Sequence, residues 1–170
     1  KGGRFLDVGC GVGDLVAAMN ELGMEAEGVE PSQYAVSKAT SLGRKVVCGF
    51  LHDAKYAPDS FDSISMHHVL EHTPDPVTVL RECHRVLAPG GTLTIAVPNS
   101  ESMLFAWVGT MWNMLEPGHL QHFSARSLEH AGSSVGLELV RLETEALVRA
   151  IEGGLTAWVR KRFLVPQSIL

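Results

Sequence analysis

Apolar residues fall into two rhythms along this chain, compact runs and stretches where they recur every three or four positions, and the two alternate. Arg4 to Val8 is a compact run and predicts a buried strand, while Leu15, Val16, Met19 and Leu22 mark one face of a helix that stops at Gly23. Glu25 to Val29 predicts a second strand, Ser32 is placed to cap a helix reaching about Leu42, and Lys45 to Cys48 predicts a third strand. Phe61 to Met66 predicts a fourth. Asp75 then opens a helix running through Leu87, and Pro89-Gly90-Gly91 turns the chain into a fifth strand, Thr92 to Val97. Ser124 starts a further helix to about Val135, and Leu137 to Leu142 predicts a sixth strand. Such alternation predicts an α/β fold, one mostly parallel sheet joined by right-handed crossovers.

The first strand runs straight into alternating glycines, Leu6-Asp7-Val8-Gly9-Cys10-Gly11-Val12-Gly13, and Gly28-Val29-Glu30 follows one βα unit later. Glycines at a strand end let the backbone turn sharply and let a ligand approach main-chain groups. The spacing excludes two rivals. A dinucleotide fingerprint counted from Gly9 needs glycine at position 14, which is Asp14, a carboxylate ill suited to a pyrophosphate; a P-loop needs Gly-Lys-Ser/Thr, which is absent. A ligand with a ribose and no pyrophosphate fits best. An ionised Glu30 at the end of strand 2 offers two acceptor oxygens to a vicinal diol.

With 170 residues, 45% of them hydrophobic, and a formal net charge of -5, the chain has the makings of one globular domain and lacks the basic balance of a protein built to grip nucleic acid. Cys10, Cys48 and Cys83 are odd in number and too widely spaced for zinc, so they read as reduced thiols and point to the cytoplasm. The sequence starts at Lys1, almost on the first strand and with no Met, so a natural N-terminal segment is expected to be missing.

Asp7 to Gly13, Glu30, and the Phe61-Asp62 and Leu70-Glu71-His72 pairings around strand 4 together resemble the class I S-adenosylmethionine-dependent methyltransferases, in their small-molecule branch, and are similar to ubiquinone-pathway O-methyltransferases. The resemblance implies a Rossmann-like, doubly wound sheet of six to seven strands in the order 3-2-1-4-5-7-6, with helices on both faces. It implies S-adenosylmethionine as cofactor and S-adenosylhomocysteine as product. Asp7, Gly9, Cys10, Gly11 and Gly13 would wrap the methionine part, Glu30 with Pro31 the ribose, and His67 would join them from the end of strand 4. Family members often carry an acid just after strand 3 for the adenine amine, whereas Phe50 stands at that place here. Phe50 and Leu51 contacting the adenine face, with backbone groups reading its edge, is the preferred reading; Asp53 replacing the acid is the other.

His67-His68-Val69-Leu70-Glu71-His72 contains H-x-x-E-H, the spacing of one class of zinc protease, but Pro74-Asp75-Pro76 leaves too little helix to hold two ligands in register. The similar ubiquinone-pathway enzymes hold a divalent ion in this region with acidic groups and a histidine. His68 stands where a carboxylate would, and no metal is expected. His68 is instead the first candidate for a base taking a proton from the acceptor, and Glu71 and His72 read as structural.

An apolar insertion at about 99–118, with Met103, Leu104, Phe105, Trp107, Val108, Met111, Trp112, Met114 and Leu115, follows strand 5 at the sheet edge where such folds bind ligands, and reads as a lid over a small-molecule acceptor, with an interface to another subunit or a cap on the core as the other readings. His119, in Gly118-His119-Leu120-Gln121-His122-Phe123, is the second candidate base. The methyltransferase domain is expected over 1–146 and a helix or tail over 147–170, whose Trp158 to Leu164 stretch reads as a solvated terminal helix rather than a membrane-surface one. No seventh strand is placed. The expected activity is methyl transfer to an O or N atom of a small, apolar or sugar-like acceptor, by a monomer or homodimer. The alternative is a non-catalytic module that keeps the cofactor site; a nicotinamide oxidoreductase is the third reading, separable by its cofactor.

Overall fold

The structure, a computed structural model, describes residues 2–102, 106–107, 109, 115–145 and 154–161. Seven strands form one sheet in the order β3-β2-β1-β4-β5-β7-β6. Strands β1 (Arg4–Val8), β2 (Glu25–Glu30), β3 (Val46–Cys48), β4 (Phe61–His67) and β5 (Leu87–Pro98) are parallel, and β7 (Gly154–Lys161) runs antiparallel between β5 and β6 (Leu137–Glu145). This is the Rossmann-like α/β sheet expected from the sequence. The strand order reverses between β1 and β4, so right-handed crossovers put helices α1 (Asp14–Glu21) and α2 (Gln33–Ser41) on one face and α3 (Pro76–Val86) on the other. Helix α4 (Ala125–Ser134) packs beside α3.

Alternation along the strands sorts the core into two layers. In β1, Leu6 and Val8 point into the larger cluster with Phe61, Ile64, Met66, Leu80, Leu93 and Leu128, whereas Phe5 joins Cys10, Val16 and Ala26 under α1. Caps fall where short polar side chains precede the helices: Ser32 Oγ accepts from the Ala35 amide, Asp75 Oδ1 from Thr78, and Ser124 Oγ from Ser127. Leu22, assigned to the buried face of the first helix, is 76% exposed because α1 ends at Glu21 and the chain turns away at Gly23.

The largest departure from expectation is β7. Residues Trp158 to Lys161, read as part of a terminal helix, lie in a strand that pairs with β5 from Thr92↔Arg160 to Pro98↔Gly154 and with β6 along its other side. Both neighbours offer open ladder edges that only a strand can satisfy, and this tertiary demand overrides the local pattern. Val159 is buried there, and the Lys161 ammonium donates to Asp59 at 2.6 Å and to the Leu87 carbonyl at 3.0 Å. Arg162, Phe163 and Leu164 lie outside the described residues. Strand β5 also begins earlier than expected, with Leu87 opposite Phe61 and a register slip before Ser63 pairs with Thr92. No helix of the described residues is long and apolar enough to cross a membrane.

Candidate active site

The carboxyl ends of β1 and β4 part at the order reversal, where open α/β sheets form a crevice. Past Val8 the Gly9 and Cys10 amides both donate to the Val29 carbonyl, at 2.8 and 3.3 Å, folding the loop over the end of β2. Gly9 and Gly11 adopt φ of 73° and 54°, a region costly for other residues. Their surroundings differ. A Cβ on Gly9 would lie 2.3 Å from Val69 Cγ2, whereas one on Gly11 would meet nothing within 4 Å. The first glycine lets the loop close against the turn after β4, and the second leaves the backbone bare toward the crevice.

Glu30 is tied to that loop. Its Oε2 accepts from the Gly11 amide at 3.0 Å and its Oε1 from the Ser32 amide at 2.9 Å, which fixes both oxygens while each keeps a lone pair for another donor. Pro31 follows at the turn into α2. On the loop's far side Arg44 Nη1 donates to the Val12 carbonyl and pairs with Asp14, each at 2.7 Å. Arg44 escaped the sequence reading because nothing local links it to a loop some thirty residues earlier. The loop thus combines a bare glycine backbone, an oriented carboxylate and no crowding side chain at Gly11.

Asp7 sits beneath the loop, buried, and accepts from the hydroxyl of Ser65, its register partner on β4. Burial pushes its carboxyl above the ordinary value, the Ser65 bond and the charge of His67 pull it back, and Glu30 adds to the rise. Cys10 is a space filler: burial pushes its thiol up to about 12, and its Sγ fills the place a Cβ on Gly28 would take.

At the β3 end, Phe50 is 61% exposed, stacked parallel to the His52 ring at 6.0 Å, while Leu51 turns into the main core. Asp53 Oδ2 accepts from the Phe50 amide at 3.0 Å, so this carboxylate closes its own turn. Of the three residues considered for adenine, Phe50 is the one presenting an open ring face. Cys48, expected within an apolar strand, is exposed.

The turn after β4 gathers the histidines. His68 takes φ 54°, its amide donates to the Ala96 carbonyl at 2.9 Å, and its Nδ1 lies 3.2 Å from Glu71 Oε1. His72 Nδ1 donates to the Gly118 carbonyl at 2.8 Å, its ring meets His119 edge to face at 4.7 Å, and His119 pairs with Glu116. The Gln121 amide donates to the Glu71 carbonyl, so segment 116–122 is strapped onto the 68–72 turn. Glu71, His72 and His119 each offer an atom within 4.8 Å of the others, and these bonds make the group a polar knot joining two segments. The structure thus brings the two candidate bases, His68 and His119, to either side of Glu71, with the His119 side chain buried and that of His68 exposed.

Of the apolar insertion, Trp107 and Leu115 are exposed. Met103, Leu104, Phe105, Val108, Met111, Trp112 and Met114 lie outside the described residues, as does most of the segment 147–170 expected as a helix or tail. A groove of about 530 Å³ along α3, lined by His52, Asp59, Arg81, Glu82, Arg85 and Lys161, runs toward the amino edge of the sheet. Arg85 there is paired with Glu82 and Lys161 with Asp59, while Arg81 Nη1 donates to Thr78 Oγ1 at 3.4 Å.

Fold and crevice define a nucleoside-cofactor α/β domain of the S-adenosylmethionine-dependent kind. The chain belongs to the methyltransferase domain family, which matches residues 1–142. It is 38% identical over 112 residues, 62% of this chain and 47% of the relative, to the ubiquinone biosynthesis O-methyltransferase of Xanthomonas campestris. The chain thus spans about half the length of the curated relatives it matches. Its fold is that of the methyltransferase solved in complex with the Haloferax volcanii Trm112 methyltransferase activator (TM-score 0.81, 19% identity, covering 96% of this chain and 84% of that one). It is also that of the [4+2]-cyclase SpnF (TM-score 0.74, 21% identity, covering 95% and 75%). A shared fold therefore spans more than one chemistry.

Proposed function

We propose that this domain binds S-adenosylmethionine and methylates an O or N atom of a small acceptor, apolar or sugar-like, in the cytoplasm. One observation carries the reading: the glycine loop, whose Gly11 amide donates to Glu30, packs through Gly9 against Val69 of the turn that carries His68. The cofactor, when bound, supplies a methyl group already activated on a sulfonium. Asp7, Gly9, Cys10, Gly11 and Gly13 shape the floor, Glu30 and Pro31 take the ribose, Phe50 and the Leu51 backbone the adenine, and His67 closes the pocket. His68 takes the acceptor's proton, since its ring is the more accessible of the two candidates, and the buried His119 orients the acceptor from segment 116–122. Exposed Trp107 and Leu115 suit a greasy or aromatic acceptor.

Calorimetry with S-adenosylhomocysteine and with NAD, followed by transfer of labelled methyl to a panel of phenols, sugars and amines, tests this. Binding of S-adenosylhomocysteine alone, with turnover lost in His68→Ala, is expected. Binding of NAD in its place overturns the cofactor assignment, and full turnover in His68→Ala overturns the base.

A further inference from the structure

We infer that Glu71 is the positioning residue of the acceptor side: it holds His68 by Nδ1 and supplies the charge that balances the ring once it is protonated. The inference rests on the methyl-transfer reading above.

Glu71 is 1% exposed, and its Oε2 has no hydrogen-bond partner among the described residues. A buried carboxylate is expensive unless something nearby makes use of its charge. A residue needed only to fill the turn between Leu70 and His72 would be apolar. The second feature lies three residues earlier, where His68 adopts the left-handed backbone region, which few non-glycine residues take and which histidine tolerates better than most. Both meet in one contact, His68 Nδ1 to Glu71 Oε1 at 3.2 Å. The left-handed bend, pinned by the His68 amide on Ala96, swings the ring back over the carboxylate.

The chemistry follows from what a carboxylate can do. It only accepts, so Nδ1 carries the hydrogen and the lone pair of the neutral ring sits on Nε2. During transfer the acceptor's O–H or N–H bond breaks and its proton goes to Nε2. The acceptor atom forms its bond to the methyl carbon as the sulfonium's S–CH3 bond breaks, and sulfur keeps that electron pair as a thioether. The imidazolium then has a negative partner already in place and later gives its proton to solvent. Glu71 is too buried to meet the acceptor, which makes it a positioning group. Its main-chain carbonyl also receives the Gln121 amide, so the same residue ties the base to the segment carrying His119.

Long-range proton–nitrogen NMR of histidine-labelled protein reads the tautomer directly, with His68 assigned by its loss in His68→Gln. The wild-type protein is expected to carry the neutral His68 proton on Nδ1, and Glu71→Met to return it to Nε2. With an acceptor taken from the panel, Glu71→Gln is expected to lower kcat on the order of a hundredfold while the KM for S-adenosylmethionine stays within about twofold. A wild-type proton on Nε2 overturns the inference without any variant having to fold. So does full turnover in Glu71→Gln where His68→Gln has lost it. Full turnover in His68→Gln instead brings down the base reading on which the inference rests.

Discussion

Alanine at position 11 separates two jobs of the glycine loop. Position 11 sits at φ 54°, so a Cβ there costs roughly 1–2 kcal/mol in backbone strain. For a domain of this size that lowers Tm by about 2–8 °C. No protein atom would be displaced, since nothing lies within 4 Å of the added carbon. Under the proposed cofactor assignment, the methyl would occupy space the cofactor needs. S-adenosylhomocysteine affinity should therefore fall about tenfold or more, roughly 1.4 kcal/mol per decade. Gly9→Ala carries the same backbone strain and in addition drives its Cβ to 2.3 Å from Val69, an overpacking cost of about 1–3 kcal/mol. It should lose more Tm, and adding Val69→Ala should recover the packing share alone. Differential scanning fluorimetry paired with calorimetry measures both. If Gly11→Ala loses Tm yet binds S-adenosylhomocysteine as the parent does, the space over Gly11 is not the cofactor's and the assignment of the loop fails.

Three further outcomes are expected. Phe50→Ala should weaken S-adenosylhomocysteine binding by roughly 0.5–1.5 kcal/mol without moving Tm, because the ring is exposed in the unliganded protein; unchanged affinity rules out stacking. Alkylation at neutral pH should modify one thiol of three, since Cys10 and Cys83 are buried and pushed up to about 12 while Cys48 is exposed; mass spectrometry finding label on Cys10 in folded protein contradicts this. Glu82 is held below its usual value of 4.5 chiefly by its bonds from Arg85, so its contribution is complete above the unfolded value and is lost as pH falls through the lower folded one. The Tm gap between the parent and Glu82→Gln should accordingly close on acidification below about pH 4.5, and a constant gap refutes the coupling.

What could be read from the sequence was whatever the chain encodes locally. Caps at Ser32, Asp75 and Ser124 and the apolar runs that form β1 and β4 each need only a few neighbouring residues, and they stand as expected. Features built by contacts between distant segments were hidden. Arg44 clasping Val12 and Asp14, Ser65 under Asp7, and the strap from segment 116–122 onto Glu71 and His72 have no local signature. β7 was hidden for another reason. Its eight residues alternate too weakly to compete with a helical reading, and its strand state is imposed by the two edges it fills. Exposure divided Phe50 from Leu51 because a single-residue step at the start of a short turn decides which one faces the core.

The late arrival of β7 sets an order on synthesis. The sheet's interior position between β5 and β6 is filled by the last described strand, so β5 leaves the ribosome long before its second neighbour exists. At about 5–20 residues per second, the edge from Thr92 to Pro98 waits on the order of seconds with its ladder unpaired. During that interval an apolar strand with open main-chain groups invites the wrong partner. A nascent chain stopped before Gly154 would already contain every residue assigned to the cofactor, yet it would present this edge to solvent. Completeness of the binding site and completeness of the sheet are reached at different moments of translation.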